Sequence, residues 1–168
     1  MSAKSSVTAS TADRAITATR VFDAPRELVW DAWTDPKKVI HWWGPSGFST
    51  TIIEMDVRPG GIWKHIMHGP DGTDYPNLTR YVEVVKPERL VYINSGGKDD
   101  IPHGEFRATV TFENEDGRTR LTMEMVFASA SERDRVAKEY GAIEGLDQHL
   151  GRLTEYLAIT QKLKSTLR

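Results

Sequence analysis

The 168-residue chain has no cysteine. That removes disulfide frameworks, thiolate metal sites and cysteine nucleophiles at once. An excess of charge is missing too. The 22 Lys and Arg residues face 24 Asp and Glu, for a net charge of −2 and a pI of about 6.2. A nucleic-acid binder would show a basic footprint, and this chain shows none. Mean hydropathy is −0.47, and no apolar run nears the roughly 18 residues that cross a bilayer, so membrane insertion is not expected. The H-E-x-x-H, EF-hand, phosphate-loop, dinucleotide and G-x-S-x-G patterns are all absent, so neither a metal nor a cofactor is expected. What the chain has in abundance is tryptophan. It carries five, four of them between positions 30 and 43.

Residues 1–14 are MSAKSSVTASTADR, mostly Ser, Thr and Ala. They offer too little apolar surface to offset ordering entropy, and a disordered tail is expected. The apolar stretch of about ten residues that a secretory signal needs is not there, so the domain is expected in the cytoplasm. From Ala15 to Phe22 β-branched residues alternate with others, which predicts a strand. Asp23-Ala24-Pro25-Arg26-Glu27 then reads as a helix start, and Asp35-Pro36 as a second one. These two short helices carry Trp30 and Trp33, then Val39, Ile40, Trp42 and Trp43, and Gly44-Pro45 ends the second.

From Phe48 the period changes to two. Thr51, Ile53, Met55 and Val57 are expected on one face of a strand, with Ile52, Glu54 and Asp56 on the other. Further strands are expected with Trp63, His65 and Met67 on one face, over Leu78 to Val85, and over Leu90 to Ser95. Gly96 to Gly104 reads as a loop, rich in Gly, Asp and Lys. Phe106, Ala108, Val110 and Phe112, then Leu121, Met123, Met125 and Phe127, mark a hairpin with one dry face and one wet face. Ser131 and Asp134 read as a helix cap. Val136, Tyr140, Ile143, Leu146, Leu150, Leu153 and Leu157 then recur at helical period. Gly141 and Gly145 interrupt this stripe, and each costs about 1 kcal/mol against Ala in a helix. A break near Gly141 is therefore predicted, with a long helix from about Ala142 to Leu163. The expected fold is α+β: a curved seven-stranded antiparallel sheet around one long C-terminal helix, with two short helices after the first strand closing one end. A single domain over 15–163 is expected, with 164–168 as a tail. A curled sheet and a helix enclose a candidate pocket.

Several stretches resemble one family. VFDAPRELVWDAWTDPKKVIHWWGP (21–45) looks like the opening signature of the AHSA-type proteins, the activator of heat-shock-protein ATPase homologue branch of the START/birch-pollen-allergen-like, or SRPBCC, superfamily. The resemblance continues through DVRPGGIWKHIMHGPDG (56–72), YVEVVKPERLVY (81–92), FRATVTFE (106–113), LTMEMVF (121–127) and GAIEGLDQHLGRLTEYL (141–157). It implies a helix-grip fold with an internal cavity. It implies less about function, because the superfamily includes lipid binders, cyclases and chaperone assistants. In the eukaryotic activators the module is accompanied by a separate N-terminal domain, which these 168 residues are not expected to hold, so the chaperone role is expected to transfer poorly.

The candidate site follows from which residues face the cavity. Ligand contacts are expected from Trp43, Trp63, Met67, Phe106, Met123, Met125 and Ile143, and orienting hydrogen bonds from His65, Tyr92 and Asn94. Trp30 and Trp33 are expected to pin the short helices. His65 and His68 lie three apart on a strand and so point to opposite faces, which argues against a metal pair. Glu144 and His149 on the helix, and His103 in the loop, are further polar candidates. The leading reading is a binding domain for a small hydrophobic or aromatic molecule. A cyclase-, hydrolase- or isomerase-type enzyme using His65 as acid and base is the second reading, and a chaperone-interacting module the third. A homodimer and a monomer both suit the sequence.

Overall fold

The computed structural model describes residues 5–9, 14–98, 101–139 and 141–166, of which 5–9, 97–98, 101–104, 139 and 163–166 are described as backbone. Its strands are β1 (Ser5–Ala9), β2 (Ala15–Phe22), β3 (Ser49–Met55), β4 (Ile62–His68), β5 (Asp74–Val85), β6 (Arg89–Lys98), β7 (Ile101–Glu115) and β8 (Arg118–Val126). Its helices are α1 (Arg26–Thr34), α2 (Pro36–Val39), α3 (Ala130–Glu139) and α4 (Ala142–Thr166). All strands join one antiparallel sheet in the order β1-β2-β8-β7-β6-β5-β4-β3. The seven strands from β2 onward, the two short helices and the long helix are the arrangement that the periodicity predicts. Among the described residues no helix is long and apolar enough to cross a membrane.

Alternation along each strand sends one set of side chains to a common core. Ile16 and Ala18 of β2, Trp63 of β4, Tyr81 of β5, Tyr92 of β6, Val110 and Phe112 of β7, and Leu121 and Met123 of β8 are all buried there. Leu146, Leu150, Leu153 and Leu157 of α4 meet them. Arg20 of β2 ties helix to sheet, donating from Nη1 to Thr154 Oγ1 at 3.1 Å and from Nη2 to Asp147 Oδ1 at 3.2 Å. The helical stripe breaks where expected. Gly141 adopts φ +58, a left-handed conformation that ends α3 and restarts the chain as α4. Tyr140 of the stripe lies outside the described residues.

Four local expectations are corrected. Ser5–Ala9, expected as part of a disordered tail, pairs with β2 from Ser5↔Arg20 to Ala9↔Ile16. The strand needs no apolar period, because its backbone satisfies the open edge of β2; residues 1–4 and 10–13 of that tail lie outside the described residues. The loop expected over Gly96 to Gly104 is instead a continuation of the β6–β7 hairpin, with Gly96↔His103 and Lys98↔Ile101 in register. In β3 a bulge between Ile52 and Glu54 leaves Ile53 and Glu54 both exposed. Ile52 and Met55 pack on the core while Ile53 is 62% exposed, so the simple alternation fails there. The cap of α3 is Ser129, whose Oγ accepts from Glu132 N–H at 3.0 Å, and not Ser131.

Gly96 makes the hairpin's crowded crossing possible. Its φ is +128, and a Cβ there would stand 2.2 Å from the Pro76 carbonyl oxygen of β5. Backbone cannot yield as a flexible side chain does. Gly96→Ala is expected to destabilise the protein by about 3 kcal/mol, from strain plus overlap. Urea denaturation would measure it, and a loss under about 1 kcal/mol would refute the crowding.

Candidate functional site

Between the sheet and the first turns of α4 lies a cavity of about 200 Å³. Trp43, Gly44 and Pro45 wall it from the segment after α2, His65 and Met67 from β4, and Asn77 from β5. Tyr92 and Asn94 of β6, Phe106 of β7 and Met123 and Met125 of β8 extend the wall, and Ala142, Gly145, Leu146 and His149 of α4 close it. An apolar cavity of about 150 Å³ takes benzene, so this one suits a molecule of one or two rings.

The segment that carries Trp43 is fixed from both sides. Asp35 caps α2, its Oδ1 accepting from Lys37 N–H at 3.0 Å, with Pro36 in the first helical position. Trp42 is fully buried and its Nε1–H donates to the Ala32 carbonyl at 2.9 Å, tying α2 back to α1. The next residue turns toward the cavity. The helix ends at Val39, so the pair lies in the turn beyond it, where Trp42 serves the core and Trp43 lines the cavity. Trp30 and Trp33 pack edge-on against Phe112 of β7, at 5.3 and 6.0 Å, and pin α1 to the sheet.

From the other side α4 grips the same segment. Gly44 N–H donates to His149 Nδ1 at 2.8 Å. Arg152 Nη1 donates to the carbonyl oxygens of Trp43, Gly44 and Pro45 at 3.1, 3.0 and 3.1 Å. Ser46 N–H donates to Gln148 Oε1 at 3.2 Å. Pro45 comes so near the helix that a Cβ on Gly145 would sit 3.4 Å from its Cγ. Gly145, His149 and Arg152 recur at helical spacing and form one contact stripe.

Trp43 stands between two histidines. Its ring lies edge-to-face on His149 at 4.4 Å and on His65 at 6.1 Å. His65 stacks on Trp63 at 4.1 Å and is 2% exposed. Burial lowers the His65 pKa to about 3. Burial, reinforced by the nearby Arg152 guanidinium, lowers that of His149 to about 3 as well. Both rings are therefore neutral at pH 7. Because Nδ1 of His149 accepts from Gly44, its Nε2 carries the proton and is a donor. Nδ1 of His65 is buried and has no hydrogen-bond partner among the described residues. Burial also pushes up the phenols of Tyr92 and Tyr81, the latter further raised by Tyr92, so both stay protonated. Asn94 Nδ2–H donates to Thr79 Oγ1 at 2.9 Å, fixing its amide.

Eight of the ten residues expected at the site line the cavity: Trp43, His65, Met67, Tyr92, Asn94, Phe106, Met123 and Met125. Trp63 lies behind them as the floor on which His65 stacks, and Ile143 is partly buried against the core. His149, weighed from the sequence only as a helix polar residue, is central, whereas Glu144 is exposed. The side chain of His103 lies outside the described residues. Gly44, Pro45, Asn77, Ala142, Gly145 and Leu146 were not foreseen. The recurrence of Gly145, His149 and Arg152 at +4 and +3, beside the leucine stripe, is the signal that points to the helix side. His68 faces the opposite side of the sheet, as expected. There its Nδ1 meets Asp74 Oδ1 at 2.7 Å and its Nε2 meets Thr51 Oγ1 at 2.8 Å, a link across β3, β4 and β5. Among the described residues no cluster of three or more carboxylates and histidines suits a metal ion.

A family model described as "Activator of Hsp90 ATPase homolog 1-like protein" matches residues 23–158. No curated protein matches the chain. Solved structures do. A crystal structure of a protein from Mycobacterium smegmatis has 29% identity and a TM-score of 0.83, and the alignment covers 92% of this chain and 98% of that one. A solution structure from Arthrobacter aurescens has 27% identity and a TM-score of 0.84, with 91% of each chain covered. The AHSA1 protein of Silicibacter pomeroyi, at 21% identity with 87% of this chain and 99% of that one covered, shares the fold with a TM-score of 0.72.

Proposed function

The chain belongs to the activator of Hsp90 ATPase homolog 1-like family of the SRPBCC superfamily, and within it we propose that this protein is a receptor for a small, hydrophobic or aromatic ligand held in the cavity. The observation that carries the reading is the make-up of that cavity. Trp43, Met67, Phe106, Met123, Met125 and Leu146 give an apolar wall, and a few fixed polar groups interrupt it. Apolar surface with sparse, oriented polar groups is the usual composition of a ligand site. Thioethers adapt to the shape of whatever fills the space.

Catalysis by His65 is supported less well. A general base is ordinarily oriented by a hydrogen bond at its second nitrogen, and Nδ1 of His65 has no such partner among the described residues. Its pKa, lowered to about 3, also makes it a weak base at neutral pH. The chaperone reading would rest on an exposed apolar face. Among the described residues the large exposed apolar side chains, Ile40, Ile53, Leu78, Val82 and Ile159, are spread over several elements.

Native mass spectrometry against a library of lipophilic and aromatic compounds is expected to reveal a bound mass, with calorimetry giving its affinity. Met125→Trp adds bulk into the cavity from β8. It is expected to weaken that ligand at least about tenfold while shifting stability by less than about 2 kcal/mol, because the added volume has space to occupy. A wild-type protein that takes up nothing from such a library, or a Met125→Trp variant that binds as well as wild type, would sink the proposal.

A further inference from the structure

The cavity's polar groups have one property in common: none carries a formal charge. Among the described residues no Asp, Glu, Lys or Arg lines it. Arg152 stands beside the cavity but is not part of the wall, and its Nη1 is spent on the carbonyl oxygens of Trp43, Gly44 and Pro45. The first turn of α4 brings a partial positive charge to one end, through Ala142 and Gly145. Glu144 sits in that same turn and opposes it.

What the wall does offer is neutral hydrogen bonding. His149 has its Nδ1 taken by Gly44 N–H, which leaves Nε2–H as the donor its ring can give. The Tyr92 phenol and the Asn94 amide share the wall, and His65 holds an unpartnered nitrogen. An anion brought here from water would lose hydration and meet no charged side chain on the described wall, while the Arg152 behind it is already engaged with three carbonyl oxygens. A hydroxyl or carbonyl would lose far less and regain a hydrogen bond.

We infer that the cavity selects its ligand by charge: it takes uncharged, mainly apolar molecules of one or two rings bearing a hydroxyl or carbonyl, and it excludes carboxylates and other anions. This rests on the ligand-receptor reading above and narrows it. Fatty acids and aromatic acids are placed outside the ligand class, and alcohols, phenols and ketones of similar bulk inside it.

A matched pair of probes separates the possibilities. Naphthalene-2-methanol and 2-naphthoate share one ring system and nearly one size, and differ in charge at pH 7.5. Titration calorimetry of the full chain with each is expected to show the alcohol binding at least about tenfold more tightly, the discrimination that an uncompensated charge imposes. Binding of 2-naphthoate equal to or tighter than the alcohol would overturn the charge selection and leave the receptor reading intact. Binding of neither would count against the receptor reading, and this inference would fall with it.

Discussion

Trp33→Ala is expected to cost about 4 kcal/mol of stability and to lower Tm by about 8–16 °C, the range for deleting a buried aromatic from a domain of this size. Trp33 is 1% exposed and joins more than one element. Its ring lies 5.0 Å from Trp42, 5.6 Å from Trp43, 6.0 Å from Phe112 and 6.1 Å from His149. Removing it opens a void where α1, the turn after α2, β7 and α4 converge. The surroundings cannot collapse into that void without moving Trp43, which His149 and Arg152 hold through the neighbouring backbone. Trp33→Phe is expected to cost about half as much. The indole Nε1 of Trp33 has no hydrogen-bond partner among the described residues, so Phe forfeits volume but no bond. Thermal melts followed by circular dichroism would check both variants. A Tm loss under 3 °C for Trp33→Ala would mean that the two short helices are held by something other than their tryptophans.

The expectation for Trp33 was available from the sequence, and the reason is periodicity. Trp30 and Trp33 lie three apart toward the end of a nine-residue helix, which fixes them on one face. The sheet was legible for the same reason: Phe106 to Phe112 and Leu121 to Phe127 alternate without interruption. The wall residues His65, Met67, Tyr92 and Asn94 followed from alternation alone. What stayed hidden lacks a side-chain signal. β1 is read from backbone pairing, and Ser5–Ala9 carries no apolar rhythm. The outer part of the β6–β7 hairpin runs through Gly96, Gly97 and Pro102, residues that ordinarily punctuate a strand. The bulge at Ile53 reverses the faces of β3, which no period of two can encode. On the helix side, Gly44, Pro45 and Gly145 reach the cavity because they are small or are pressed together, and only the fold brings residues 45 and 145 within contact.

Acid is expected to destabilise the protein earlier than carboxylate titration would. His65 and His149 are buried, and each has a pKa lowered from 6.5 to about 3. Above pH 6.5 both rings are neutral in the folded and in the unfolded chain, and the two states bind equal numbers of protons. Below it the unfolded chain takes up two protons that the folded chain refuses. Stability therefore falls as pH falls, with a slope of about 1.4 kcal/mol per pH unit for each histidine, until the folded rings protonate near pH 3. Between pH 8 and pH 5 the two together amount to a loss of about 4 kcal/mol, while exposed carboxylates are still largely ionised. Urea denaturation at intervals across this range would measure it. His65→Asn removes one titrating ring, so the variant's stability should fall about half as steeply with acid as the wild type's, whatever its offset at pH 8. Equal slopes for the two proteins would show that His65 accepts a proton in the folded state, and hence that water or a counter-charge reaches it. A neutral ligand that fills the cavity would keep both rings dry and stabilise the folded chain by its binding free energy across the whole range. It should thus lift the curve without flattening its slope, whereas a ligand that brought a carboxylate to His65 or His149 would favour their protonated forms and flatten it.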